Sequence, residues 1–169
     1  MKRLLCIVIV LSFMLPFFGC KSNTIESPLP LYFLRKSQHF GSEDSIFFPE
    51  IVDSTQFASL SSMLRFYLQG PIDSTLKSPF PKNIYLVEVE ISEDILIITL
   101  SDSLATLTGV DLSLACCALA KTTYAFNGIE TVQIQARSAL LDGEASITIH
   151  IGDIVLFDDY STAATGSTQ

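Results

Sequence analysis

The stretch from Ile84 to Leu100 limits the possible folds more than any other part of the chain. Tyr85, Val87, Val89 and Ile91 share one face of an alternating run, with Glu88 and Glu90 on the other. A period of two is the signature of a strand with one wet face. Glu93-Asp94 then offers a turn, and Ile95–Leu100 is apolar on both faces. A strand covered on both sides belongs inside a sheet rather than at its rim. The two runs therefore form a hairpin whose second strand is central.

Helical spacing appears twice. Phe57, Leu60, Leu64, Tyr67 and Leu68 fall on one face, while Gln56, Ser59, Ser62 and Arg65 lie off it, so a helix is expected over Thr55–Leu68. Asp53, Ser54 and Thr55 supply its N-cap; Gly70 offers a left-handed closing residue, and Pro71 forbids continuation. The second helix is expected over Asp111–Phe126, capped by Asp111 and stopped by Asn127-Gly128. Leu112, Ala115, Cys116, Leu119, Thr123 and Phe126 form its apolar stripe. Four further strands are expected. They are Leu29–Leu34, with Pro30 near its start; Ile46–Val52, interrupted by Pro49; Ile129–Ala136; and Ala145–Ile151, which Ile154–Phe157 extends or flanks. The order ββαββαββ predicts an α+β fold, a largely antiparallel mixed sheet with both helices packed on one face.

The first residues are an address rather than part of this body. Lys2 and Arg3 precede an apolar run from Leu4 to Phe18. That run is short of the roughly 20 residues a spanning helix needs, and reads as a secretion signal. It ends Phe17-Phe18-Gly19-Cys20, which resembles a bacterial lipobox through Gly19 and Cys20, with Phe17 and Phe18 in place of the preferred residues. Residues 1–19 are then a lipoprotein signal, and Cys20 becomes a lipid-bearing N-terminus. Residues 20–28 are a tether, 29–158 a single domain and 159–169 a disordered Ser/Thr/Ala/Gly-rich tail. The protein is placed on the extracytoplasmic face of the cell membrane, held by its lipid.

Charge bears on partners. The chain carries 10 Lys and Arg against 18 Asp and Glu, a net charge of -8. Loss of Lys2 and Arg3 with the signal makes the mature chain two charges more acidic. This excludes a nucleic-acid binder, which needs a basic footprint. It also means that an anionic membrane repels the body, so the lipid must hold it.

A search for chemistry finds little. The chain has no nucleophile elbow, Walker loop, dinucleotide fingerprint or zincin motif. Cys116 and Cys117 are neighbours on a helix, so their side chains diverge by about 100° and read as small core residues. His39 and His150 read as solvated histidines. Asp142, Glu144, Asp153, Asp158 and Asp159 lack the spacing of a calcium loop. No catalytic residue, metal or cofactor is expected. Phe47 and Phe48 differ from the rest: adjacent aromatics on a strand cannot both face one core, so one of them is a candidate partner contact.

Several segments in order resemble the GerMN domain family. Leu64-Arg65-Phe66-Tyr67-Leu68-Gln69-Gly70-Pro71 is similar to that family's helix end, and Ser78–Asn83 to its loop into a hairpin. Val87–Ser101 is similar to the hairpin itself, Ala118–Val132 to the helix and strand that follow, and Leu31-Tyr32-Phe33 to the opening strand. The resemblance runs over roughly residues 29–150. It departs at Tyr124 and Asn127, and in a strand added after Ile134. The resemblance implies an adaptor or scaffold at the cell envelope in sporulation or spore germination, without catalytic residues, on a fold similar to ring-building modules. The implied partners are envelope or sporulation-assembly proteins, or further copies of the chain. A small envelope enzyme and a ligand-binding lipoprotein are the alternative readings.

Overall fold

The computed structural model describes residues 27–36 and 46–154. The signal, Cys20, the tether before Ser27, His39, the Ile154–Phe157 extension beyond its first residue, Asp158, Asp159 and the tail lie outside the described residues. Strand β1 (Pro28–Arg35) pairs antiparallel with β2 (Phe47–Asp53), and its last two residues pair with the short β3 (Leu76–Lys77). Strands β4 (Leu86–Ser92), β5 (Ile95–Leu100), β6 (Thr131–Ala136) and β7 (Ile147–His150) form a second sheet in that order. Helix α1 (Leu60–Tyr67) lies between β2 and β3, and α2 (Gly109–Asn127) crosses from β5 to β6. That crossover makes β5–β6 the one parallel pairing among the described strands. The class is α+β as expected. The strands divide into two sheets, where the sequence pattern suggested one.

The two sheets and both helices share one core. Leu29, Leu31 and Phe33 come from β1, and Met63, Leu64 and Tyr67 from α1. Leu112, Ala115, Cys116 and Leu119 come from α2; Leu96, Ile98, Val132 and Ile134 come from β5 and β6. Both helices thus cover the same face of the four-stranded sheet. The opposite face is polar, with Gln133 Nε2 donating to Ser146 Oγ at 2.9 Å and Gln135 Nε2 to Thr99 Oγ1 at 2.9 Å. Strand β5 is central, as its two-sided apolar pattern required.

The prolines of the first sheet obey the ladder's parity. Tyr32 donates its N–H to Thr122 Oγ1 at 3.0 Å, and its carbonyl accepts from the Tyr67 hydroxyl at 2.7 Å. Both backbone groups therefore point away from β2. Since hydrogen-bonded and non-bonded pairs alternate along an antiparallel ladder, Tyr32 and its partner Pro49 form a non-bonded pair. The N–H that Pro49 lacks would have faced outward, so Pro49 does not interrupt β2. Pro30 has the same parity as Tyr32, so its missing N–H falls on the edge that β3 leaves unpaired. Two side chains, Thr122 and Tyr67, satisfy the N–H and the carbonyl that Tyr32 turns to this edge, which β3 does not reach.

Three local expectations are corrected. The alternation in the hairpin changes phase: the register shifts between Leu86 and Glu88, so Ile84 and Leu86 are buried and Tyr85 is exposed. A bulge lets two residues oppose one and moves each preceding side chain to the other face. Helix α1 begins at Leu60 rather than Thr55, because Ser59 and Ser62 form a reciprocal capping box over its first turn. Asp53 instead caps the short 3-10 turn Ser54–Gln56, accepting from Thr55 N at 3.0 Å. Helix α2 begins at Gly109, two residues before the expected cap Asp111. Its first N–H donates to Asp142 Oδ2 at 2.8 Å, a carboxylate reached from the β6–β7 loop.

Gly128 closes α2 as expected, at φ 74° in the left-handed region, with its N–H on the Tyr124 carbonyl at 2.8 Å. A Cβ there would meet nothing within 4 Å. Gly128→Ala should therefore cost only backbone strain, about 1 kcal/mol. Urea unfolding should show that loss with an unchanged far-ultraviolet spectrum, and an equally stable variant would contradict it.

Candidate interaction surfaces

Phe47 and Phe48 are both covered, each on its own side of the sheet. Phe47 is 3% exposed and packs against Ala118 of α2, with Tyr32, Leu34, Leu114 and Cys117 around it. Phe48 is half-buried against the main core, and the Arg35 guanidinium lies 3.9 Å from its ring centroid. The expectation that one ring projects as an exposed anchor is corrected: α2 covers the second face of this sheet, so adjacent aromatics both find apolar neighbours.

The other chemistry-bearing residues are held by the fold. Cys116 is buried, and burial followed by the neighbouring Cys117 pushes its thiol up to about 12. Burial also raises the Cys117 thiol, against the opposing effect of Lys121. Neither behaves as a thiolate nucleophile at neutral pH. His150 ends β7 on the exposed side, with Nε2 3.9 Å from Glu130 Oε2 and both side chains largely solvated. Such a pair contributes little to stability. Asp142 caps α2, Glu144 makes a backbone bridge with Leu141, and Asp153 ends the last 3-10 turn. Among the described residues no three His, Cys, Asp or Glu groups converge as a metal cage. Among them, too, no helix is long and apolar enough to cross a membrane.

Asp102, which the sequence pattern does not mark, clamps the loop after β6. Its carboxylate accepts from Ser138 N at 2.7 Å, Ser138 Oγ at 2.8 Å and Ala139 N at 3.1 Å. The Ser138 N–H first, then its hydroxyl, hold the carboxyl below the usual range. A lowered folded-state pKa stabilises above the unfolded value and is lost as pH falls through the folded one. Asp102→Asn should therefore melt lower than wild type at pH 7, and the gap should shrink on acidification below the ordinary carboxylate range. A gap independent of pH would contradict this reading.

The two ends of the body differ in charge. Pro28, the β4–β5 turn, the C-terminus of α2 and the start of β6 lie at one end, because β1 and α2 run antiparallel and β6 returns beside β5. That end carries Asp53, Glu93, Asp94, Glu130 and Asp153, and no Lys or Arg among the described residues. The opposite end carries Arg35, Lys36, Arg65, Lys77, Lys82 and Arg137, interspersed with acids.

At this distal end a groove of about 670 Å³ runs between the last turn of α1, the loop from Ser78 to Lys82 and the start of β4. Gly70, at φ 95°, closes α1 against that loop; a Cβ on it would stand 3.7 Å from that of Ser78. The bulge described above turns Tyr85 out of the core, 51% exposed, onto the groove's rim. Arg65 and Lys82 stand at the rim as well, and Leu68, Phe80 and Ile84 line the floor. Sequence reasoning missed this site because the alternation placed Tyr85 inward. The family-like segments Leu64–Pro71 and Ser78–Asn83 frame it, but their residues read as helix stop and loop.

Comparison with known proteins places the fold. A family model described as Germane, sporulation and spore germination, matches residues 30–142. The first GerMN domain of the sporulation protein GerM from Bacillus subtilis is similar with a TM-score of 0.52 at 14% identity, over 73% of this chain and 96% of that one. The tandem GerMN domains of the same protein are similar with a TM-score of 0.55 at 13% identity. That match covers 79% of this chain and 49% of that one, so the chain spans about half its length. No curated protein matches the chain. The family match stops before β7, which adds an antiparallel edge to β6.

Proposed function

The chain belongs to the Germane family of sporulation and spore-germination domains, and on that premise we propose that it is a lipid-anchored envelope protein whose single domain docks other proteins and performs no reaction. The exposed Tyr85 beside the apolar-floored groove at the distal end is the observation that carries this reading. Tyr and Arg on a rim around apolar side chains are the residue types that dominate binding energy at protein interfaces. Two carboxylates and one thiol that could serve catalysis have structural work instead. Asp102 and Asp142 tie loops to backbone N–H groups, and the Cys116 thiol stays protonated in the core.

The test is crosslinking of the tagged, full-length protein in sporulating cells of its source. Recovery of envelope-assembly proteins, or of further copies of the chain, is the expected result. Recovery of the uncrosslinked monomer at every stage would overturn the docking reading.

A further inference from the structure

Resting on that docking reading, we propose that the groove between α1 and the β4 start receives an extended protein segment that places two carboxylates, one on Arg65 and one on Lys82, about an apolar side chain seated over Phe80. Three observations lead there. First, the chain has 18 acidic side chains against 10 basic ones, yet none of the described residues lining this groove is Asp or Glu. Second, among the described residues no Lys or Arg lies within salt-bridge distance of a carboxylate, so Arg65 and Lys82 are both left to solvent or to a partner. Third, the side chains at the base of the groove, Leu68, Phe80 and Ile84, are apolar members of the core that line it. The groove therefore presents apolar surface between two cations.

Net charge limits what the partner can be. A wholly acidic protein would be repelled by a chain whose full sequence carries a net charge of -8 and which grows more acidic on loss of Lys2 and Arg3. Screening at physiological salt acts beyond about 8 Å, so contact between a short acidic segment and the two rim cations survives while the longer-range repulsion is damped. The acidity is thus confined to the segment that enters. Arg65 also offers a planar fork that matches a carboxylate in two bonds, and Tyr85 a flat apolar face beside it.

The experiment uses the full-length protein in detergent and a displayed library of random nine-residue peptides. Enriched peptides are expected to carry two carboxylates flanking an apolar residue. Their affinity should fall at least tenfold for the R65E/K82E double variant, and peptides with those carboxylates changed to lysine should bind that variant better than wild type. Both side chains are exposed, so the variant should melt with wild type; R65Q/K82Q serves as a second, milder pair. Enrichment of neutral or basic peptides, or an affinity unchanged within twofold in both variants, would overturn the proposal. Photo-crosslinkers placed at Tyr85 and at Val110, exposed on the first turn of α2, separate this idea from the docking reading in living cells. A partner caught at Tyr85 through an acidic segment supports both. A partner caught at Val110 alone sinks the groove and leaves docking standing, and silence at both positions counts against both.

Discussion

Tyr67→Ala should leave the domain at or beyond its unfolding limit. Tyr67 is fully buried, its ring 4.9 Å from that of Phe33 and 5.9 Å from that of Phe80. Deleting a buried aromatic ring costs about 3–5 kcal/mol, against a total stability of about 5–15 kcal/mol for a typical domain. The hydroxyl has a separate role. It donates to the Tyr32 carbonyl at 2.7 Å, and burial raises its pKa far above neutrality, so it is a donor at every physiological pH. Tyr67→Phe keeps the ring and leaves that carbonyl unpaired on the strand edge, at a cost of about 1–3 kcal/mol. Urea titration of both variants checks the order. A Tyr67→Phe protein as stable as wild type would show that the edge of β1 is satisfied some other way.

Tyr67 also marks how far the sequence could be read. Its helical spacing put it on the apolar face of α1, and the structure agrees. That its hydroxyl closes the edge of a strand 35 residues away could not be inferred, because spacing reports which face a side chain takes and not what it meets. The same limit explains Asp102 and Asp142. Each holds a backbone N–H more than 30 residues distant; in one dimension Asp102 carried no signal, and Asp142 was only one of several carboxylates without the spacing of a calcium loop. Pro49 was misread for a different reason. Its effect on a strand depends on whether its nitrogen faces a neighbour, and only the pairing with Tyr32 decides that. The groove was hidden by one inserted residue. Without the register shift at Val87, Tyr85 would be a core residue and the rim would lack its aromatic. Element types and the central place of β5 were legible because they follow from local periodicity; caps, edges and bulges are settled by tertiary contacts.

Exchanging residues 1–19 for a signal that is cleaved without lipidation, together with Cys20→Ala, should move the protein from the membrane entirely into the medium. The full exchange matters, because Cys20→Ala alone could leave the apolar run from Leu4 to Phe18 uncleaved as a substitute anchor. Two acyl chains give stable anchoring where one gives only marginal binding, and a diacylglycerol on the Cys20 sulfur supplies two. Among the described residues no helix is long and apolar enough to replace them. The chain enters the domain at Ser27, at the end that carries Asp53, Glu93, Asp94, Glu130 and Asp153 without a neighbouring Lys or Arg among the described residues. With the proposed lipid on Cys20, a stretch to Ser27 that reaches at most about 25 Å would make this acidic end the one nearest the bilayer. Anionic lipid would repel it, and the proposed anchor would then turn the opposite end, with its six cations and its groove, away from the membrane. Fractionation of cells, with palmitate labelling of the unaltered protein, reads the result. Loss of both label and membrane association is expected in the exchanged protein. Persistence on the membrane without label would mean that the domain itself binds the bilayer, and the acidic end would then have to face away from it.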